Sequence, residues 1–338
     1  MASDTVRSIT IKGFKSIRSI EDLYLRPINV LIGANGSGKS NFLEAFILLG
    51  ATNSGELDSY VLRYGGADKL LHFGSKTTRE IYILMECSNG FNLIAHCLYR
   101  ETDRLAGIVT KGQFWDESDI KGPSFNRYRF QDTGEDSPLK KTNELHNNRS
   151  LTRLGGNLGA FLYLLKQRYR NSYELIRKTV QQVAPFFEDF QLEPLLLNPD
   201  TIKLEWRHVG SDGYFDASAF SDGTLRFIAL ATLFLQPLEL RPSVILVDEP
   251  ELGLHPYAVE LLAALIRQAS KETQVIVATQ SPLLVDHFDA EDVLVAERVE
   301  GATTIRRLDA APLAEWLKDY SLGQLWEKGE LEGMPVKE

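Results

Sequence analysis

Residues Gly33-Ala34-Asn35-Gly36-Ser37-Gly38-Lys39-Ser40 match the pattern G-x-x-x-x-G-K-[ST], and their surroundings restrict the fold further. An apolar, strand-like run (Ile28 to Ile32) feeds this segment, and a helix-like run (Asn41 to Leu49) leaves it. Glycines let the backbone curl until successive N–H groups face one anion, and the start of a helix adds its positive dipole end. In such a loop Lys39 reaches the β- and γ-phosphates, and the Ser40 hydroxyl takes a place on Mg²⁺. Strand, loop and helix in this order imply a site for a nucleoside triphosphate, with ATP and Mg²⁺ as the expected ligands.

The bulk composition excludes several classes. At 338 residues, with 43% apolar and 25% charged side chains, the chain has the make-up of a globular protein with a full core. No apolar run approaches the roughly 20 residues of a membrane span, and Met1 to Lys15 lack the apolar centre of a signal peptide. Two cysteines, Cys87 and Cys97, cannot form a disulfide framework and read as buried thiols of a reduced, cytoplasmic protein. The histidines (His72, His96, His146, His208, His255, His287) are scattered without metal-ligand spacing, so no metal other than Mg²⁺ is expected. The net charge of −9 hides a stretch, Lys121 to Lys178, in which twelve Lys/Arg face five Asp/Glu. A basic face on an acidic chain suits nucleic acid or an acidic partner, and a solvated surface equally.

Along the chain, residues 6 to 15 read as a strand and Ile28 to Ile32 as a buried one. Residues 80 to 86 and 91 to 99 read as a hairpin across Ser88-Asn89-Gly90. Residues 116 to 150 are polar and rich in Gly, Pro, Asn and Asp, and read as a long loop or partly disordered insert. Leu158 to Phe190 reads as one or two amphipathic helices, Thr201 to His208 as a strand, and Thr224 to Leu235 as a helix. Val244 to Val247, Val275 to Ala278 and Val293 to Ala296 read as buried strands, with a helix over Tyr257 to Ala269. Strands alternating with helices call for a mostly parallel sheet covered by helices.

Two further motifs carry chemistry. Val244-Ile245-Leu246-Val247 ends in Asp248-Glu249-Pro250, so a buried strand delivers two carboxylates at the sheet edge expected to hold the phosphate loop. Asp248 suits Mg²⁺, directly or through water, and Glu249 suits orienting and deprotonating the attacking water. Phe220-Ser221-Asp222-Gly223-Thr224 precedes a helix. It reads either as an ordinary N-cap or as a phosphate contact made by a hydroxyl and free N–H groups.

In this order, the motifs, followed by a strand ending Thr279-Gln280-Ser281, resemble the ABC-type ATPase heads, and most closely their RecF/SMC/OLD-like branch. Gly13-Phe14-Lys15-Ser16, the Lys39-Ser40-Asn41 triplet and Glu249-Pro250-Glu251-Leu252-Gly253-Leu254-His255-Pro256 carry that likeness. Trp316 to Pro335 is similar to the tail of small stand-alone members. The resemblance implies an α/β P-loop NTPase of ABC-ATPase head type. Its sheet would be mixed or parallel with helices on both faces, joined by an antiparallel β lobe and a helical insert.

The expected layout is one domain over 1–338. An N-terminal lobe spans 1–115, a basic loop and helical insert 116–200, a C-terminal lobe 201–300, and a tail 301–338. The resemblance further implies that Gly33, Asn35, Gly36, Ser37, Gly38, Lys39, Ser40 and Asn41 hold ATP, with Lys15 or Ser16 near its base or α-phosphate. Ser40 and Asp248 would hold Mg²⁺. Glu249, Gln280 and Lys39 would act in hydrolysis. Ser221 and Gly223 would reach the γ-phosphate held by a second copy, with Leu252 to His255 crossing that interface.

Two departures bear on turnover. The switch position, usually His, is Gln280, which hydrogen-bonds but carries no charge, so slow hydrolysis is expected. No glutamine lies between Asn41 and Gly112, which leaves Gln113 or Gln131 as candidates for the Q-loop. The functional expectation is an ATPase that dimerises head-to-tail on ATP and acts in DNA repair or in defence against phage and plasmids. A partner nuclease or effector, and direct DNA contact through 121–178, belong to that expectation. The alternative is an ATP-gated interaction module with negligible hydrolysis.

Overall fold

The helix that leaves the phosphate loop, Lys39–Asn53, buries every residue from Phe42 to Leu49, so it has no solvent-facing stripe over that stretch. A helix apolar all round must be covered on more than one side. The computed structural model, which describes residues 5–100, 103–111 and 123–331, supplies that cover with two sheets.

Two compact units make up the chain, the first formed by Met1–Arg127, Pro242–Leu246 and Thr273–Glu338. Its antiparallel sheet runs in the order Ile17–Tyr24, Val6–Phe14, Glu80–Cys87, Asn92–Arg100, Arg104–Lys111. A second sheet has the order Ala302–Arg307, Val293–Val299, Ile28–Ile32, Gln274–Ala278, Val244–Asp248, Phe125–Tyr128. Ile28–Ile32 is parallel to both its neighbours, with Val30 opposite Val277 on one side and Val293 on the other. The loop helix packs on strands of both sheets, and Ile9, Ile83, Met85, Leu31, Leu246 and Ile276 join Phe42 and Phe46 in one apolar cluster.

The second unit comprises Tyr128–Arg241 and Val247–Glu272. Helices Leu158–Arg168, Arg170–Val183, Asp222–Leu235 and Pro256–Ala269 pack in sequence order. Asp222–Leu235 is buried from Thr224 to its end, the strongest core element of this unit. Two three-stranded antiparallel sheets accompany the helices, one of them built from Phe187–Gln191, Glu205–His208 and Tyr214–Asp216.

Several boundaries differ from those expected. The polar stretch 116–150 is not all loop: Phe125–Tyr128 forms the edge strand of the parallel sheet, buried through Phe125 and Tyr128, while residues 112–122 lie outside the described residues. The helical reading of Leu158 to Phe190 ends at Val183, and Phe187–Gln191 is a strand whose Phe187 and Phe190 are buried. Thr201 to His208 is divided between strands Asn198–Ile202 and Glu205–His208. Ile17–Tyr24 is a strand without a strand's alternation, since its buried residues, Ile17, Ile20 and Leu23, recur every third position. A register shift in its partner and a left-handed residue, Asp22 at φ +46°, break the usual alternation.

No helix among the described residues is long and apolar enough to cross a membrane. Cys87 and Cys97 are both buried free thiols, and burial pushes the Cys97 thiol up to about 11.

Phe46 is fully buried, with its ring 5.4 Å from Phe42 and 5.8 Å from Phe125 in edge-to-face contacts. Phe46→Ala is therefore expected to destabilise the protein by about 3–5 kcal/mol, read from the shift in urea midpoint. A loss under about 1 kcal/mol would show that the loop helix does not depend on this packing.

Candidate functional site

The loop in the first unit is shaped by close approach. Gly38 caps the helix at φ +101°, where a Cβ would overlap Thr303 Oγ1 and stand 2.8 Å from Ser16 Oγ. Gly33, at φ +149°, would put a Cβ into the Ala296 carbonyl. Gly36 needs glycine for its φ of +80° alone, because nothing lies within 4 Å of its Cβ direction. No side chain caps the first turn of Lys39–Asn53, and no acid sits there, so the dipole end stays positive. Lys39 is buried, and its ammonium donates to the carbonyls of Gly33 (2.6 Å) and Ala34 (2.9 Å). The Ser37 hydroxyl is buried and has no hydrogen-bond partner.

Ser16 is brought to this loop. Its Oγ accepts from Asn41 Nδ2 at 2.7 Å and lies 2.7 Å from Thr303 Oγ1, which also bonds the Ser37 carbonyl at 2.8 Å. Lys15 is turned elsewhere: its ammonium pairs with Glu44 on the loop helix and stands 4.4 Å from the Tyr64 ring centroid. Burial, with the Glu44 charge beside it, pushes the Tyr64 hydroxyl up to about 12 and that of Tyr60 higher still. Gln280 does reach the loop, since its Nε2 donates to Asn35 Oδ1 at 2.8 Å. Behind it the helix Pro282–Val285 is seated on Leu322–Glu327, where Gly323 N–H donates to Asp286 Oδ1 at 2.6 Å.

The remaining candidates lie in the second unit. Ser221 acts as an N-cap, its Oγ accepting from Thr224 N–H at 3.2 Å, while staying exposed. Gly223 packs so closely on the Gly253 carbonyl that a Cβ would overlap it, so the start of this helix and the 252–255 segment are in contact. Asp248 is buried at 4% exposure. Glu249 beside it adopts φ +46°, a left-handed conformation costing a non-glycine residue about 1–3 kcal/mol. Such strain persists only where the surroundings impose it.

Two residues near Asp248 were not singled out with it in the sequence. Gln131 Nε2 donates to the Asp248 carbonyl at 3.2 Å, which puts one of the two Q-loop candidates at the acid; Gln113 lies outside the described residues. Arg129, read only as part of the basic run, has its Nε 3.6 Å from Asp248 Oδ2. Arg226, buried one turn into the Ser221-capped helix, donates to the carbonyls of Phe130 (3.0 Å) and Gln131 (2.9 Å), and burial lowers its pKa. Other members of the basic run are also engaged: Lys166 faces Asp189, and Arg170 and Arg177 share Glu174.

These residues fit a magnesium nucleotide. Gly33 and Gly38 form a cradle that a Cβ would fill, Ser37 offers an unpartnered buried hydroxyl, and Lys39 a buried cation. Ser40 in the first unit and Asp248 in the second each carry an oxygen of the hard kind that Mg²⁺ takes. Among the described residues no group of three His, Cys, Asp or Glu could hold a metal.

Comparison with known proteins follows the same lines. The family model described as "AAA domain, putative AbiEii toxin, Type IV TA system" matches residues 109–286, and one described as "AAA ATPase domain" matches residues 5–86. The phosphate import ATP-binding protein PstB of Mycoplasmoides gallisepticum is 28% identical over 121 residues, 36% of each protein. The chain thus spans about a third of that relative's length.

Among solved structures, an SMC head bound to the C-winged helix domain of ScpA superposes with a TM-score of 0.63 at 19% identity, covering 92% of this chain and 99% of that one. An SMC head with an extended coiled coil, bound to the C-terminal domain of ScpA from Pyrococcus furiosus, gives 0.60 at 18%, covering 93% and 98%. The SMC head domain from Thermotoga maritima gives 0.52 at 17%, covering 91% and 100%. At these identities the likeness is one of fold, and that fold is the P-loop NTPase head expected from the motifs.

The glycines yield a graded prediction. Gly36→Ala is expected to cost only its left-handed backbone, about 1–2 kcal/mol. Gly38→Ala adds overlap with Thr303 and should cost about 2–5 kcal/mol in all. Urea midpoints of the two variants compare them directly; equal losses would show that Thr303 and Ser16 do not press on the loop.

Proposed function

The chain belongs to the AAA-domain ATPase family whose model spans residues 109–286, and we propose that it binds and hydrolyses ATP as an ABC-type head whose site is completed by a second copy of itself. The observation that carries this reading is the loop: a lysine buried over its own carbonyls, an uncapped helix start and glycines that admit no Cβ. Gly33 to Asn41 hold the phosphates through backbone N–H groups and Lys39. Ser16, fixed by Asn41 and Thr303, serves the α-phosphate side. Lys15 acts through Glu44 and the tyrosines in shaping that side.

Ser40 offers its hydroxyl and Asp248 its carboxylate to Mg²⁺, which when bound neutralises charge on the phosphate oxygens. Glu249, held at φ +46°, aims its carboxylate and takes the proton of the attacking water. Gln280, already hydrogen-bonded to Asn35, orients that water without adding charge, which is consistent with slow turnover. Ser221 and Gly223 of a second copy add donors where negative charge develops.

A defence role, with a partner effector, is the biological reading, and the family's description as a toxin of a type IV toxin–antitoxin system favours it over repair. The SMC heads of similar fold are bound to domains of ScpA, which supports a protein partner.

Lys39→Ala should abolish binding of a fluorescent ATP analogue. Glu249→Gln should keep binding, lower phosphate release by at least about a hundredfold, and give an ATP-dependent dimer in size-exclusion chromatography. Unchanged turnover in Glu249→Gln would remove Glu249 as the base. A monomer in ATP would favour the interaction-module alternative.

A further inference from the structure

Asp248 is a carboxylate at 4% exposure, and a carboxylate charge taken out of water is costly without a cation beside it. Arg129 provides one, its Nε 3.6 Å from Asp248 Oδ2. Yet 3.6 Å exceeds hydrogen-bond length, so Arg129 neutralises the acid without gripping it.

What surrounds Arg129 separates a fixed base from a movable tip. Its backbone is tied down: Arg129 N–H donates to the Arg153 carbonyl at 2.9 Å, and the next two carbonyls, of Phe130 and Gln131, are held by buried Arg226. Gln131 then holds the Asp248 carbonyl, which sets the acid's backbone independently of the guanidinium. The Arg129 side chain, by contrast, is 49% exposed, and it also donates a 3.3 Å hydrogen bond to Gln131 Oε1. Solvent is open to half of it.

We propose that Arg129 is an exchangeable counter-ion of Asp248, which offsets the acid's charge in the nucleotide-free protein and yields its place to the divalent cation that arrives with the nucleotide. The proposal rests on Asp248 being the magnesium ligand. A divalent cation needs the carboxylate oxygen at about 2.1 Å, and a guanidinium facing the same oxygen would oppose it by like charge. Release of Arg129 to water is open because half of its side chain is there already. The same device makes Arg129 a positioning residue for the acid, acting through charge rather than through contact with substrate.

Thermal unfolding with and without Mg²⁺ and ADP tests this, because a counter-ion matters in only one of the two states. Arg129→Gln should lower the metal-free melting temperature by about 3 °C or more and leave the Mg²⁺–ADP state within about 1 °C of wild type. The Mg²⁺ concentration for half-maximal stabilisation should fall by about fivefold. Arg129→Lys, which keeps the charge, should behave as wild type.

Equal losses in both states would mean ordinary packing and overturn the proposal, as would no loss in either. Should Arg129→Gln fail to fold alone, the pair is read in an Asp248→Asn background. There Arg129→Gln should carry no metal-free penalty, and a persisting penalty would overturn the proposal. A wild-type protein that Mg²⁺ and ADP do not stabilise, with Lys39→Ala identical to it, would instead sink the nucleotide reading on which this rests.

Discussion

The absence of a Cβ at Gly38 is the constraint on which the first unit depends. Thr303, on the edge strand Ala302–Arg307, bonds the Ser37 carbonyl, and its N–H donates to the Ser16 carbonyl at 2.7 Å. Three distant stretches of chain, around residues 16, 37 and 303, therefore meet where a methyl group would not fit. The loop is curled by its neighbours as well as by its glycines. Ser16 lies in the turn between two strands of one sheet, Val6–Phe14 and Ile17–Tyr24, and Thr303 in a strand of the other, so the contact that shapes the loop also ties the sheets together.

Much of this was legible in the sequence because the relevant signals are local. Ile28 to Ile32 and Val244 to Val247 are short apolar runs ended by glycine or acid, and both are strands in the parallel sheet. Ser221 marks a helix start by capping chemistry, and the helix Asp222–Leu235 begins directly after it. The Asn89-Gly90 turn joins two strands as its backbone preference requires. In each case a few adjacent residues carry the whole message.

Where several distant residues must cooperate, the signal fades. Ile17–Tyr24 carries its apolar residues at the wrong period because a bulge shifts its pairing, and a bulge belongs to two strands at once. The resemblance sets Lys15 near the base or α-phosphate, but its pairing with Glu44 and its place beside Tyr64 come from residues 29 and 49 positions further on and leave no local mark. Arg129 and Gln131 sit in a polar stretch where charge alone suggested a solvent or nucleic-acid face. Only the buried Arg226, almost a hundred positions further on, turns that stretch toward Asp248.

Arg226 also explains how the second unit treats its polar groups as one assembly. From a single buried site it holds the carbonyls of Phe130 and Gln131, while Gly253, at φ +72°, would direct a Cβ to within 2.9 Å of its guanidinium. Gly223, three residues before it on the same helix, rests against the Gly253 carbonyl. Glu249 stays in a strained conformation between Asp248 and this segment, and a packed interior does not let such a residue relax alone. The Ser221-capped helix start, Gly253, the 130–131 carbonyls and, through Gln131, the backbone of Asp248 are therefore joined by direct contacts into one packed assembly.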